Sequence, residues 1–194
     1  MGQVIGITGG IASGKTTVGE LIRAAGFLVI DADQVAQELI ASPSIVHELA
    51  ERFGSRILNR DGSLNRAQLS QIVFGHASKL QILNELTQPV IRQQLLAQMD
   101  AARAGESKVF FEIPLLFEQH YERLVDQIVV VSVPEQQQLT RLMQRNGFTK
   151  AQARVRINSQ LPIAQKCQRA DFVLDNTQGP HELAQQVQAL LTQI

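Results

Sequence analysis

Residues 6–17 read GITGGIASGKTT, and the reading of this run decides the rest of the chain. Ahead of it stands the apolar stretch QVIGIT (3–8). Behind it stands KTTVGELIRAAG (15–26), with Val18, Leu21, Ile22 and Ala25 on one helical stripe and Gly26 suited to the helix end. A strand, a glycine-rich turn and a helix in that order set backbone amides at the positive end of the helix dipole, where phosphate is held. Gly9, Gly14, Lys15 and Thr16 satisfy G-x-x-x-x-G-K-[ST] in that context. The glycines permit the turns that bring successive N–H groups around an anion. Lys15 then reaches the β- and γ-phosphates of a nucleotide, and the Thr16 hydroxyl is suited to magnesium. Gly9, Gly10, Ala12, Ser13, Gly14, Lys15, Thr16 and Thr17 are therefore the expected nucleotide-binding residues, with Thr16 as the metal ligand for Mg2+.

Four further short apolar runs, GFLVID (26–31), KVFFEI (108–113), QIVVVS (127–132) and DFVLD (171–175), lack polar alternation. That pattern suits strands buried on both faces of a parallel sheet. Helical patterns lie between them, including PEQQQLTRLMQRNG (134–147) and GPHELAQQVQALLTQI (179–194). The predicted fold is α/β, a P-loop NTPase-type five-stranded parallel sheet flanked by helices. From Asp31 to Lys108 no strand is evident, only helical stretches: SIVHELAERFG (44–54), NRAQLSQIVFG (65–75) and a segment 78–103 interrupted by Pro89. Residues 32–104 are thus expected to form a helical insertion that binds the acceptor, and residues 1–31 with 105–194 the nucleotide-binding core. TKAQARVRINSQ (149–160), with Arg154 and Arg156, suggests a helical lid over about residues 148–165. The many glutamines of the C-terminal half have no role in this reading.

Composition removes several function classes. Hydrophobic residues make up 44% and charged residues 19%, and 18 basic side chains balance 18 acidic ones. Nothing suggests the broad positive surface of a nucleic-acid binder, so the anion site is local. The single Cys167 and the lack of a basic, then apolar, N-terminal pattern point to the cytoplasm, and no apolar run is long enough for a membrane span. HELAE at His47 and HELAQ at His181 lack the second histidine of a zinc-protease helix.

A P-loop names a nucleotide, not a reaction. FLVIDAD (27–33) ends a strand with Asp31 and Asp33, where active sites collect in open α/β sheets. A carboxylate there suits proton removal from an attacking hydroxyl; the alternative is an aspartate capping the helix QVAQELI. Arg141 and Arg145 lie four residues apart and project toward one anion if they share a helix face, as catalytic cations; exposed surface arginines are the alternative.

Taken together, these residues resemble the dephospho-coenzyme A kinase family, which performs the last step of coenzyme A synthesis. The resemblance covers nearly the whole chain: the P-loop, the acidic DAD (31–33), PLLFE (114–118) and ADFVLDN (170–176). It implies a P-loop core, a helical domain for the coenzyme A precursor, a lid, ATP with Mg2+ as cofactors, and Asp33 as the base toward the ribose 3′-hydroxyl of dephospho-coenzyme A. Three positions depart from the family pattern. Ala12 replaces a frequent glycine, which a negative φ would accommodate; Gln88 replaces a histidine before Pro89; Glu112 replaces an aspartate. The competing readings are a P-loop kinase for another small acceptor, such as a nucleoside monophosphate or sugar acid, and a nucleotide-dependent switch. A GTP switch requires N/T-K-x-D, and TKAQ (149–152) fails it.

Overall fold

The computed structural model describes residues 1–73 and 75–194 and divides into two compact units, Met1–Ala32 with Met99–Ile194, and Asp33–Gln98. Phe74, within the expected helical stretch 65–75, lies outside the described residues. In the first unit the chain forms β1 (Gln3–Gly9), α1 (Lys15–Ala24) and β2 (Leu28–Asp31), and returns after the helical unit as β3 (Lys108–Glu112) and β4 (Gln127–Ser132). It continues through α6 (Glu135–Asn146), α7 (Lys150–Asn158), α8 (Ile163–Gln168), β5 (Phe172–Asp175) and α9 (Pro180–Gln193). The strands pair in parallel in the order β2-β3-β1-β4-β5, which puts the strand feeding GITGGIASGKTT at the centre.

The apolar runs follow from that position. Val4, Ile5 and Ile7 of β1 are fully buried because both faces of the central strand are covered. One face packs Ile5, Ile7, Val29, Phe110, Val129, Val131 and Leu174 against Val18 and Ile22 of α1 and Leu183, Val187 and Leu190 of α9. Each such side chain contributes about 1.5–3 kcal/mol on leaving water. Opposite, the Cβ of any larger residue at position 6 would stand 2.6 Å from Leu116 Cδ1, so Gly6 makes room for the PLLFE segment. Gly26 (φ +91) and Gly147 (φ +67) follow α1 and α6 in conformations that disfavour a side chain, as the helix-end reading requires.

The helical unit carries α2 (Ala32–Ile40, entered from the first unit), α3 (Pro43–Phe53), α4 (Arg66–Val73) and most of α5 (Ala77–Ala104). Ile45, Leu49 and Phe53 of α3 and Leu69 and Ile72 of α4 form its core with Leu83, Leu86 and Val90 of α5. Arg66 donates to the Gln37 carbonyl (2.8 Å) and its side-chain oxygen (3.0 Å), joining α4 to α2. Between β2 and β3 the only pairing among the described residues is an isolated bridge, Leu58 to Leu64. Beside it the Ser63 hydroxyl and amide donate to Asp61 and hold its carboxyl below the usual range.

Three local expectations need correction. α5 runs unbroken past Pro89, although proline cannot donate to the carbonyl one turn back; Leu83, Leu86 and Val90, packed into the core on either side, hold the helix together. α2 begins at Ala32, directly after β2, so Asp33 lies inside the first helical turn rather than ahead of the helix. Finally, the region after residue 148 holds two helices, because Pro162 starts the six-residue α8, too short to show a period in the sequence. Among the described residues no helix is long and apolar enough to cross a membrane.

Candidate active site

The loop between β1 and α1 starts at the carboxyl edge of the central strand. Gly9 has φ +157 and Gly14 has φ +98; a Cβ at Gly9 would lie 2.7 Å from Ser13 Oγ, and one at Gly14 would collide with the Asn176 amide. Both positions therefore demand glycine on space as well as conformation. Ser13 N donates to Gly10 O (3.2 Å) and tightens the arch, while Lys15 folds its ammonium back toward the carbonyls of Gly10 (3.1 Å) and Gly9 (3.4 Å). Gly14 caps α1 without a side chain, and first-turn amides have no carbonyl one turn back to bond.

Ala12 does not keep the negative φ that its replacement of glycine called for: its φ is +58. The left-handed conformation costs about 1–2 kcal/mol for a residue with a Cβ. The methyl group is compensated by packing, since Ile11 and Ala12 lie against the small core of Leu139 and Leu142 from α6 and Ala153 from α7.

A cavity of about 570 Å³ opens over this loop, lined by Ala12, Ser13, Gly14, Lys15, Thr16 and Thr17 together with Arg141, Gln144, Arg145 and Asn176. The structure thus brings both predicted arginines to the predicted loop. Arg141 donates to the Asn176 carbonyl (2.9 Å), and the Asn176 amide donates to the Ser13 carbonyl (2.8 Å). Arg145 is exposed and donates to its neighbour Asn146 (3.0 Å). Gly9 and Gly10 shape the arch without lining the cavity. Sequence reading missed Gln144 and Asn176; the latter closes ADFVLDN, where it looked like the end of a strand.

Thr16 Oγ1 stands 3.5 Å from Oε1 of Glu112, a buried carboxylate at the end of β3 in register with Asp31 of β2. No cluster of three or more metal-ligating side chains occurs among the described residues. A hydroxyl and a carboxylate nevertheless fit magnesium, which takes one or two protein oxygens and fills its shell with phosphate and water. Asp33 belongs to the helical unit and is exposed in the first turn of α2; Gln88 is exposed on α5. Arg154 and Arg156 are exposed on α7, with the Arg156 guanidinium 4.5 Å from the Phe148 ring centroid.

PLLFE ends in an ion pair. Lys166 of α8 is fully buried, 2.8 Å from Glu118 and 3.3 Å from the Pro114 carbonyl. Glu118→Ala is expected to cost about 3 kcal/mol, at the low end for a broken buried pair because Glu118 is partly exposed. In a chain of this size that lowers the melting temperature by about 6–12 °C. A thermal melt within about 2 °C of the parent would mean the pair is not holding α8.

The sequence profile of the dephospho-CoA kinase family matches residues 3–182. A dephospho-CoA kinase of Listeria innocua serovar 6a is 45% identical over 189 residues, covering 96% of this chain and 94% of that one. Among solved structures, a dephospho-CoA kinase from Campylobacter jejuni superposes with a TM-score of 0.81 at 31% identity, covering 100% of this chain and 97% of its own. A shikimate kinase from Acinetobacter baumannii shares the fold at a TM-score of 0.54 and 18% identity, covering 100% and 94%.

Proposed function

Because the chain belongs to the dephospho-CoA kinase family, its reaction is ATP-dependent phosphorylation of dephospho-CoA, and we propose that transfer runs to the ribose 3′-hydroxyl from a nucleotide seated in the Ala12–Thr17 cavity. The observation that carries this reading is the convergence of Lys15, Arg141 and Arg145 on one cavity at a helix N-terminus. Three cations and a run of backbone amides match a polyphosphate far better than a neutral ligand. Phosphate oxygens are stronger acceptors than the carbonyls of Gly9 and Gly10, so Lys15 turns from these to the β- and γ-phosphates.

The acceptor hydroxyl attacks the γ-phosphorus as its proton passes to the Asp33 carboxylate, and the bond from the γ-phosphorus to the bridging oxygen breaks with ADP leaving. Lys15, Arg141 and Arg145 stabilise charge on the transferring group and the leaving oxygens. Thr16 is the protein ligand for Mg2+, its hydroxyl aimed by donation to Glu112. Magnesium held there would supply neutralisation of β- and γ-phosphate charge. The helical unit 33–98 is assigned to the acceptor, and residues 148–165 to a lid carrying Arg154 and Arg156. The lone Cys167 and the use of ATP favour a cytoplasmic setting.

The test is ATP consumption against a panel of acceptors, namely dephospho-CoA, shikimate, gluconate and a nucleoside monophosphate, with products identified by mass. ADP release is expected to depend on dephospho-CoA and to yield a product heavier by one phosphoryl group. Equal ADP release without any acceptor would remove the transfer reading.

A further inference from the structure

The glutamines that sequence reading left without a role include two that touch the loop. Ile11 N donates to Gln160 Oε1 at 2.9 Å across 149 residues of sequence. A Cβ at Gly10 would lie 2.6 Å from Gln138 Oε1, so the Gln138 side chain, itself bonded to the Val133 carbonyl (3.1 Å), lies flat on the glycine. With Asn176 on the Ser13 carbonyl, neutral amides from three elements brace the arch. Gln160 is delivered by an anchored neighbour: Leu161 N donates to Glu118 (2.9 Å), the carboxylate paired with buried Lys166. The pair at the end of PLLFE therefore fixes the segment that returns from α7 and, through Gln160, fixes Ile11.

We propose that Gln160 is a positioning residue for nucleotide binding, holding the Gly10–Ala12 arch in its phosphate-receiving shape from the return segment of the lid. The proposal rests on the reading of the loop as the phosphate site. An amide suits the task better than a carboxylate. Both accept from Ile11 N, but only the carboxylate would put a negative charge beside an anion site. The neighbouring Gln138 and Asn176 instead use their amide N–H groups, donating to the Val133 and Ser13 carbonyls.

Gln160→Met keeps the length and removes the acceptor, and Gln160→Glu keeps the acceptor and adds the charge. In steady-state kinetics Gln160→Met is expected to raise the ATP KM about fivefold to tenfold, the effect of one lost neutral hydrogen bond, at every salt concentration. The KM for dephospho-CoA and kcat stay within about twofold, since ground and transition states lose the same interaction. Gln160→Glu is expected to raise the ATP KM at low ionic strength and to recover about threefold or more near 0.5 M salt, as screening weakens the added charge. A general loss of packing would instead lower kcat and raise both KM values together, without a salt signature. An ATP KM within about twofold of the parent for Gln160→Met overturns the proposal. If that variant does not fold, the salt response of Gln160→Glu decides alone, and a flat response overturns it. Lys15→Ala with an unchanged ATP KM and full turnover, assayed alongside, separates the failures: only if the loop does not hold the phosphates does removing its lysine leave both untouched.

Discussion

Replacing Asp33 by asparagine is expected to lower kcat by about 10²–10⁴ while ATP affinity stays almost unchanged. Asparagine keeps the shape and the hydrogen-bonding reach of the side chain but cannot take the proton of the attacking hydroxyl. Asp33 occupies the first turn of α2, where a carboxylate also interacts with the helix dipole. That contribution is about 0.3–1 kcal/mol, so the variant should melt within a few degrees of the parent. Stability and turnover therefore separate the two readings: an aspartate that only favours the helix end loses little of either. Phosphoryl transfer has a loose transition state in which the proton leaves late, so a loss near a hundredfold still fits. Turnover within about threefold of the parent would remove Asp33 as the base and bring forward Asp31, at the end of β2.

Lys15→Ala is expected to lower turnover by about 10²–10³, equivalent to about 3–4 kcal/mol of lost stabilisation of the transferring group. The fold has little reason to change. The ammonium reaches the carbonyls of Gly9 and Gly10 at 3.4 and 3.1 Å, and alanine is a good residue for the first turn of α1. An apo melting temperature near that of the parent with transfer almost abolished is the predicted pair of results. Substantial residual transfer would mean that another cation of the cavity, Arg141 or Arg145, carries the charge assigned to Lys15.

What the sequence made legible was local. G-x-x-x-x-G-K-[ST] encodes a backbone path directly, because glycine and lysine at those positions have few other uses between a strand and a helix. Runs such as QIVVVS betray strands because both sheet faces are covered. Arg141 and Arg145 were recognisable as a pair through their spacing, and they do line the cavity with the loop. The contacts that brace the loop were not legible: Gln160 reaches Ile11 across 149 residues and Asn176 reaches Ser13 across 163. No periodicity reports a pairing at that distance, and glutamine or asparagine on a helix or strand end usually means a solvated surface. The positive φ of Ala12 was hidden for a related reason, since the packing of its methyl group against α6 and α7 is a tertiary effect. Pro89 misled because its cost to α5 is local while the packing that offsets it is not.

Phosphate is expected to pass from ATP to one ribose oxygen of dephospho-CoA. The phosphorus spectrum of the purified product, with the proton coupling of each phosphate assigned, reads out which oxygen has been phosphorylated. Transfer to the 3′-hydroxyl gives one new phosphomonoester signal coupled to the ribose 3′ proton, formed in step with ADP. A new phosphate coupled to the 2′ proton, a phosphate added to an existing phosphate, or ADP formed with dephospho-CoA unchanged would contradict it.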